Sequence, residues 1–319
     1  DQELVKFAED RNFDWVYRFD MRPEWSNRFY VFDAPYHSLA VGRLSEAYRE
    51  GRENAFFDAY FMDIAPQTDN RPFPSRFLKW QRLKEMYRAT GSRMYTLLLS
   101  GEIVVAVIFL EAGLLSLALL VLPFVALRKT GSRPGAAEML YFLSLGIGFM
   151  FVELYFIKQL VLLYGDPVVS FTVVLGGMLV FSGVGGFFSQ RLTDRALVVS
   201  LVLLITLLAL AAPATAWLTR AILPFPVQVK FVLGLAWLAL PGVLCGLPFP
   251  LAMRHLLKTP SARAYAWTAN GCASVLASIA AAQLALSQGI AAIVIGASAA
   301  YGVALICALK MRSSAADGH

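Results

Sequence analysis

The chain has 319 residues, 58% of them hydrophobic and 16% charged, with a formal net charge of +6 and a mean hydropathy of +0.59. Soluble globular chains run at about 45–50% apolar and about 25% charged residues, so these values exclude a wholly water-soluble enzyme, a disordered protein and a secreted disulfide scaffold. Residues 1–94 hold 15 Lys+Arg against 15 Asp+Glu, which leaves the whole positive excess in residues 95–319. A neutral, densely charged segment therefore precedes a membrane domain.

The basic excess calls for no nucleic-acid partner, because cytoplasmic flanks of membrane helices are basic. Cys245, Cys272 and Cys307 all lie in apolar runs, where neither a disulfide framework nor a thiolate metal site is expected. His37, His255 and His319 lack metal-ligand spacing. The chain starts at Asp1 with no signal-peptide pattern, and it reads as the C-terminal part of a longer polypeptide.

Residues 1–20 read as a helix end, a turn at Arg11–Asn12 and a short strand, Phe13–Tyr17. Residues 36–61 suggest two amphipathic helices, one with Leu39, Leu44, Ala47 and Tyr48 on a face and one with Phe56, Phe57, Tyr60 and Phe61. The stretch DIAPQTDNRPFPSRFLKW (63–80) has Pro66, Pro72 and Pro74, which forbid a regular helix and favour an extended, turn-rich linker. Asp69, Asn70 and Arg71 read there as a hydrogen-bonded turn. Arg71, Arg76, Lys79, Trp80, Arg82 and Lys84 form a basic-aromatic collar suited to a membrane interface. The expected division is 1–62, 63–94 and 95–319.

Seven runs reach the length of about 20 apolar residues that a bilayer demands: 97–127, 139–163, 167–189, 196–218, 227–253, 264–286 and 289–309. Glu111 in the first should face protein. Gly165–Asp166–Pro167 and Ser287–Gln288–Gly289 read as tight hairpins. The third run carries Gly176, Gly177, Gly183, Gly185 and Gly186, which admit close backbone packing. The fifth is interrupted between residues 240 and 250 by Pro241, Pro248 and Pro250 with Gly242 and Gly246, so a kink or break is expected. The sixth has a polar stripe of Asn270, Ser274 and Ser278. Glu153 stands well inside the second run, with Lys158 and Gln159 nearer its end. A charge at a helix centre costs roughly 2.5–3.5 kcal/mol on insertion scales, so Glu153 should find a partner on another helix. Glu153, Lys158, Gln159, Asn270 and Ser274 thus form the candidate intramembrane polar site. No catalytic, cofactor-binding or metal-binding residue is expected in the chain, which has no P-loop, dinucleotide-binding, HExxH or GxSxG pattern.

At residues 63–80 the sequence resembles bacterial membrane proteins that fuse a spermidine-synthase-like domain to transmembrane helices. Their linker reads D-I-x-P-x-T-D-D-R-P-F-F, and Asp63, Ile64, Pro66, Thr68, Asp69, Arg71, Pro72 and Phe73 match it. Asn70 replaces the second Asp and Pro74 the second Phe. Residues 146–186, LPFPLAMRHL (247–256) and AYAWTANGCASVLAS (264–278) are similar to that family's membrane helices. The resemblance implies an upstream domain of methyltransferase fold, with Phe13–Tyr17 as its tail and with its cofactor loop and catalytic acid ahead of Asp1. The family's membrane helices also look distantly like half of a major facilitator transporter.

Three readings follow for a mainly α, polytopic helix bundle preceded by a small, incomplete α/β polar segment. The first is a multi-pass module of the bacterial inner membrane that anchors the upstream domain of the same polypeptide. The second is a transporter-like module for a small cation such as a polyamine, and the third a structural or assembly module without ligand. Charge and resemblance disagree on sidedness. Arg128, Lys129, Arg133, Arg191, Arg195, Arg254, Lys258, Arg263, Lys310 and Arg312 outnumber the six basic residues at the opposite ends, Arg82, Lys84, Arg88, Arg93, Arg220 and Lys230. The positive-inside rule therefore puts the polar segment outside, whereas an enzyme domain with a cytosolic cofactor belongs inside.

Overall fold

The computed structural model describes residues 2–13, 15–18, 20–27, 35–60, 62–73, 77–127, 135–257 and 259–316. Phe61, Arg76, Arg128, Lys129, Arg133 and Lys258, named above, lie outside the described residues. The chain falls into two compact units. One comprises residues 1–66 and 75–99, the other residues 67–74 and 100–319. The linker is thus divided, and its central eight residues belong with the membrane helices.

The first unit contains α1 (Gln2–Asp10), α2 (Tyr36–Arg49) and α3 (Glu53–Ala59). The turn that follows α1 puts Asn12 at a φ of 53°, a left-handed conformation that Asn tolerates. The Phe13 N–H then donates to the Ala8 carbonyl at 2.8 Å. The strand expected at Phe13–Tyr17 is not formed: its described residues are irregular backbone. A strand needs a ladder partner, and the described residues hold no other strand, only an isolated bridge between Thr68 and Arg71. α2 and α3 form as expected, but Leu39 and Tyr48 are exposed. Lys79 donates to the Phe57 carbonyl at 2.5 Å and the Tyr60 carbonyl at 3.0 Å, and Arg82 to the Ala59 carbonyl at 2.8 Å. Two cations of the collar therefore close the C-terminal end of α3, where helix carbonyls lack partners.

The helix α4 (Leu83–Leu127) has 45 residues and crosses from one unit into the other. The second unit continues with α5 (Ala136–Tyr164), α6 (Pro167–Ser189), α7 (Arg195–Ile222), α8 (Val227–Gly246), α9 (Pro248–His255), α10 (Pro260–Gln288) and α11 (Ile290–Ala316). Six spans are long and apolar enough to cross a membrane, with α8 and α9 counted together, and α7 makes a seventh when its 54° bend between Ala211 and Pro213 is included. The protein is a mainly α, multi-pass helix bundle.

α5 is the hub, packed against α10, α11, α6 and α8. Tyr141, Phe142, Val152, Tyr155, Phe156 and Leu160 are buried on one broad side of it, and every residue from Tyr141 to Tyr164 is buried or half-buried, as a helix apolar on all sides requires. α10 offers its neighbours α5 and α11 a row of buried alanines, among them Ala266, Ala269, Ala273, Ala277 and Ala281. A Cβ on Gly185 would meet the Val243 carbonyl, and one on Gly246 the Ser182 carbonyl, so α6 and α8 touch backbone to backbone. Gly176 and Gly183, by contrast, face open space. The helix of the fifth run is interrupted at the single residue Leu247, between α8 and α9, where the backbone stays right-handed helical (φ −81°, ψ −47°) and the two helices form one span, while Pro241 is accommodated inside α8.

Glu111 departs from expectation. It is exposed, and among the described residues of α4 those turned to the bundle include buried Ser116 and half-buried Gly113 and Leu120. Glu111 precedes Gly113 by two residues, about 200° around the helix, and so lies on the far side of α4.

Candidate functional site

Thr68 accepts the Arg71 N–H on its carbonyl at 2.8 Å and on its hydroxyl at 3.2 Å. The turn expected from the sequence is therefore present. It also presents Asn70 to the hairpin between α10 and α11. The Asn70 carbonyl accepts the Ile290 N–H at 2.8 Å, and its side-chain Oδ1 accepts the Ala291 N–H at 2.7 Å. These are two of the four donors that a helix start leaves without intrahelical partners, so α11 is capped by a residue of the linker. Gly289, between the helices, has φ of 98°, and a Cβ there would run into Asn70. Glycine is required on both counts. Further along the linker, the Phe73 ring lies 5.5 Å from the Lys158 ammonium on α5, a cation–π contact. Of the other linker residues singled out, Asp63 accepts the Ala65 N–H at 3.4 Å and Asp69 lies in the turn itself.

The intramembrane polar residues do not converge. Asn270 donates to the Phe142 carbonyl at 3.3 Å. Ser274 donates to the Asn270 carbonyl at 2.9 Å and approaches the Gly146 carbonyl at 3.5 Å. They join α10 to α5 where Gly146 permits close approach. Ser278 turns back to the Val275 carbonyl of its own helix. Glu153 is seven residues beyond Gly146, about 10 Å along α5. It is only 6% exposed, so it faces protein, and its electrostatic neighbour is the Cys245 thiol on α8. Among the described residues no group donates a hydrogen bond to its carboxylate. Lys158 is engaged by the linker, and Gln159 is half-buried.

A different site lies toward the opposite end of the bundle. A cavity of about 820 Å³ is bordered by α5, α6, α8, α9, α10 and α11. Its apolar wall includes Leu145, Phe149, Leu179 and Met253. Gly183 and Gly186 open the α6 side, and the break between α8 and α9 contributes Gly246, Phe249 and Pro250. Phe249 and Trp267 pack edge-on, with ring centres 4.6 Å apart. The polar groups at its inner end are Asn270 and the pair in which the Tyr301 hydroxyl donates to the Cys245 sulfur at 3.4 Å. The charged lining residues are Arg254 and Arg263; no Asp or Glu is among the described ones. A cation would therefore meet two guanidinium groups, and Glu153 is not in the lining.

Sequence reading missed this site for an identifiable reason. Arg254 and Arg263 count there as loop charges nine residues apart, and only the packing of α9 beside α10 puts both at one cavity mouth. The available signal was the spacing of Arg263, Trp267 and Asn270, which shares a face of α10. Among the described residues no group of three or more His, Cys, Asp or Glu side chains is placed to hold a metal ion. Comparison of the chain with protein-family models, with curated proteins and with solved structures finds no match.

Proposed function

We propose that this chain is the membrane-embedded module of a polypeptide similar to the spermidine-synthase-like fusions, and that it anchors an upstream aminopropyltransferase- or methyltransferase-like domain in the bacterial inner membrane. The observation that supports the reading is the cap on α11. Residues of the linker are tied to the bundle through Asn70, which fixes the point at which the chain joins the membrane unit. Asn70 is also where the chain departs from the family's linker pattern, which has Asp. Asn and Asp are near-equal N-cap residues, so the departure leaves the capping chemistry in place.

The test is to purify the native polypeptide from its own membranes through peptides of α10 and α11, map its sequence ahead of Asp1, and titrate it with an S-adenosyl nucleoside. A contiguous upstream domain with a glycine-rich cofactor loop and saturable nucleoside binding is the expected result. A polypeptide without such a domain overturns the proposal.

A further inference from the structure

We propose that the cavity bordered by α6, α9 and α10 binds an anionic bilayer lipid, its headgroup at Arg254 and Arg263 and an acyl chain along Leu145, Phe149 and Leu179. This goes beyond the anchoring role and does not rest on it. At about 820 Å³ the cavity falls within the usual range of ligand sites, about 300–1,000 Å³.

Its polarity is graded along the membrane normal. Arg254 is in the last turn of α9 and Arg263 in the first turn of α10, so both stand at the ends of spans, where headgroups lie. Asn270 is about 10 Å deeper along α10, and the apolar wall faces the hydrocarbon depth. A soluble anion would have no use for that wall, and a neutral apolar molecule none for the guanidinium pair.

The charge is committed to this end. Arg254 donates to the Gln190 carbonyl, and Arg263 to the Leu257 carbonyl through Nε and one terminal nitrogen at 3.3 Å each. Among the described residues those bonds leave other donors of each guanidinium uncommitted, and the fork suits a phosphate or carboxylate. Asp194 in the neighbouring α6–α7 loop does not compete, because it pairs with Arg312 at 2.8 Å. Access is lateral. α6 and α10 form opposite walls with little packing between them, and Leu179 and Trp267, one on each wall, are 61% and 63% exposed.

The full chain in nonionic detergent is offered equal amounts of phosphatidylglycerol and phosphatidylcholine, and retained lipid is read by native mass spectrometry. Wild type should favour phosphatidylglycerol roughly thirtyfold, as two basic residues near an anionic headgroup imply. Arg254→Gln with Arg263→Gln should abolish the preference. Both side chains are exposed, so that double variant keeps the bundle. Gly183→Leu, at a position with nothing within 4 Å of a Cβ, should narrow the cavity on its α6 side and lower retention of both lipids. Equal retention of the two lipids by wild type, or undiminished phosphatidylglycerol on Gly183→Leu, overturns the proposal. So does displacement of the lipid by inorganic phosphate alone, which would mark a site for soluble anions.

Discussion

Asn70 and Ala291 are 221 positions apart in the chain, and the side-chain oxygen of the first accepts the backbone N–H of the second at 2.7 Å. One residue outside the membrane spans thereby closes the start of the last one and ties the linker to the α10–α11 hairpin.

Replacing Asn70 by Ala should destabilise the membrane unit by about 1 kcal/mol, the usual worth of an N-cap. Asn70→Asp should cost little, because a carboxylate accepts the same bond and suits the positive end of the helix dipole. Gly289→Ala should cost more than Asn70→Ala, since it adds backbone strain to the clash with Asn70. Thermal unfolding of the three variants in detergent, with the Asn70→Ala/Gly289→Ala double variant, measures this. Strict additivity in the double variant would show that the two residues do not act on each other.

The glycines of α6 should divide sharply. Gly185→Leu drives a side chain into the Val243 carbonyl of α8 and should cost at least the 1–3 kcal/mol typical of overpacking, by rough scale. Gly176→Leu meets open space and should leave stability within about 0.5 kcal/mol, as surface changes do. Folded yield and unfolding midpoint compared side by side check the division; equal effects would refute the helix pairing.

Glu153→Gln should leave the fold intact and the unfolding midpoint unchanged or raised. The carboxylate has no hydrogen-bond donor among the described residues, and the amide removes the cost of burying a charge. A fall of more than about 1 kcal/mol, the net worth of a hydrogen bond, would show that the acid has a partner after all.

Sidedness can be read at two loop positions. Arg254 donates to the Gln190 carbonyl and Arg312 pairs with Asp194, so the ends of α6, α9 and α11 lie together. Arg191, Arg195, Arg263 and Lys310 join them there by helix direction, whereas Arg220 and Lys230 lie at the other end. The positive-inside rule places the richer end in the cytoplasm. In intact cells Thr193→Cys should then be protected from an impermeant thiol reagent and Ser287→Cys labelled. The reverse pattern would put the α10–α11 hairpin in the cytoplasm.

What the sequence determined by itself was everything set by local composition. Spans, hairpins and the break near Pro248 follow from apolar run length, from Gly and Asp–Pro signals and from the missing proline donor, none of which depends on distant contacts. The glycine run of α6 announced a close helix approach, but which glycines make it was not legible: Gly177 and Gly185 do, while Gly176 and Gly183 face open space. Partners were beyond its reach. Asn70 read as a turn residue because the helix it caps begins 220 positions later. Lys79 and Arg82 read as interface cations, although the nearest unpaired carbonyls are those of α3. Asn270 and Ser274 read as candidates to meet Glu153, yet the helix register puts them against Phe142 and Gly146, two to three turns away. Only the tertiary packing decided which polar groups share a surface, because inside a bilayer a polar side chain takes whichever carbonyl its helix face happens to meet, and that face is fixed by the neighbours.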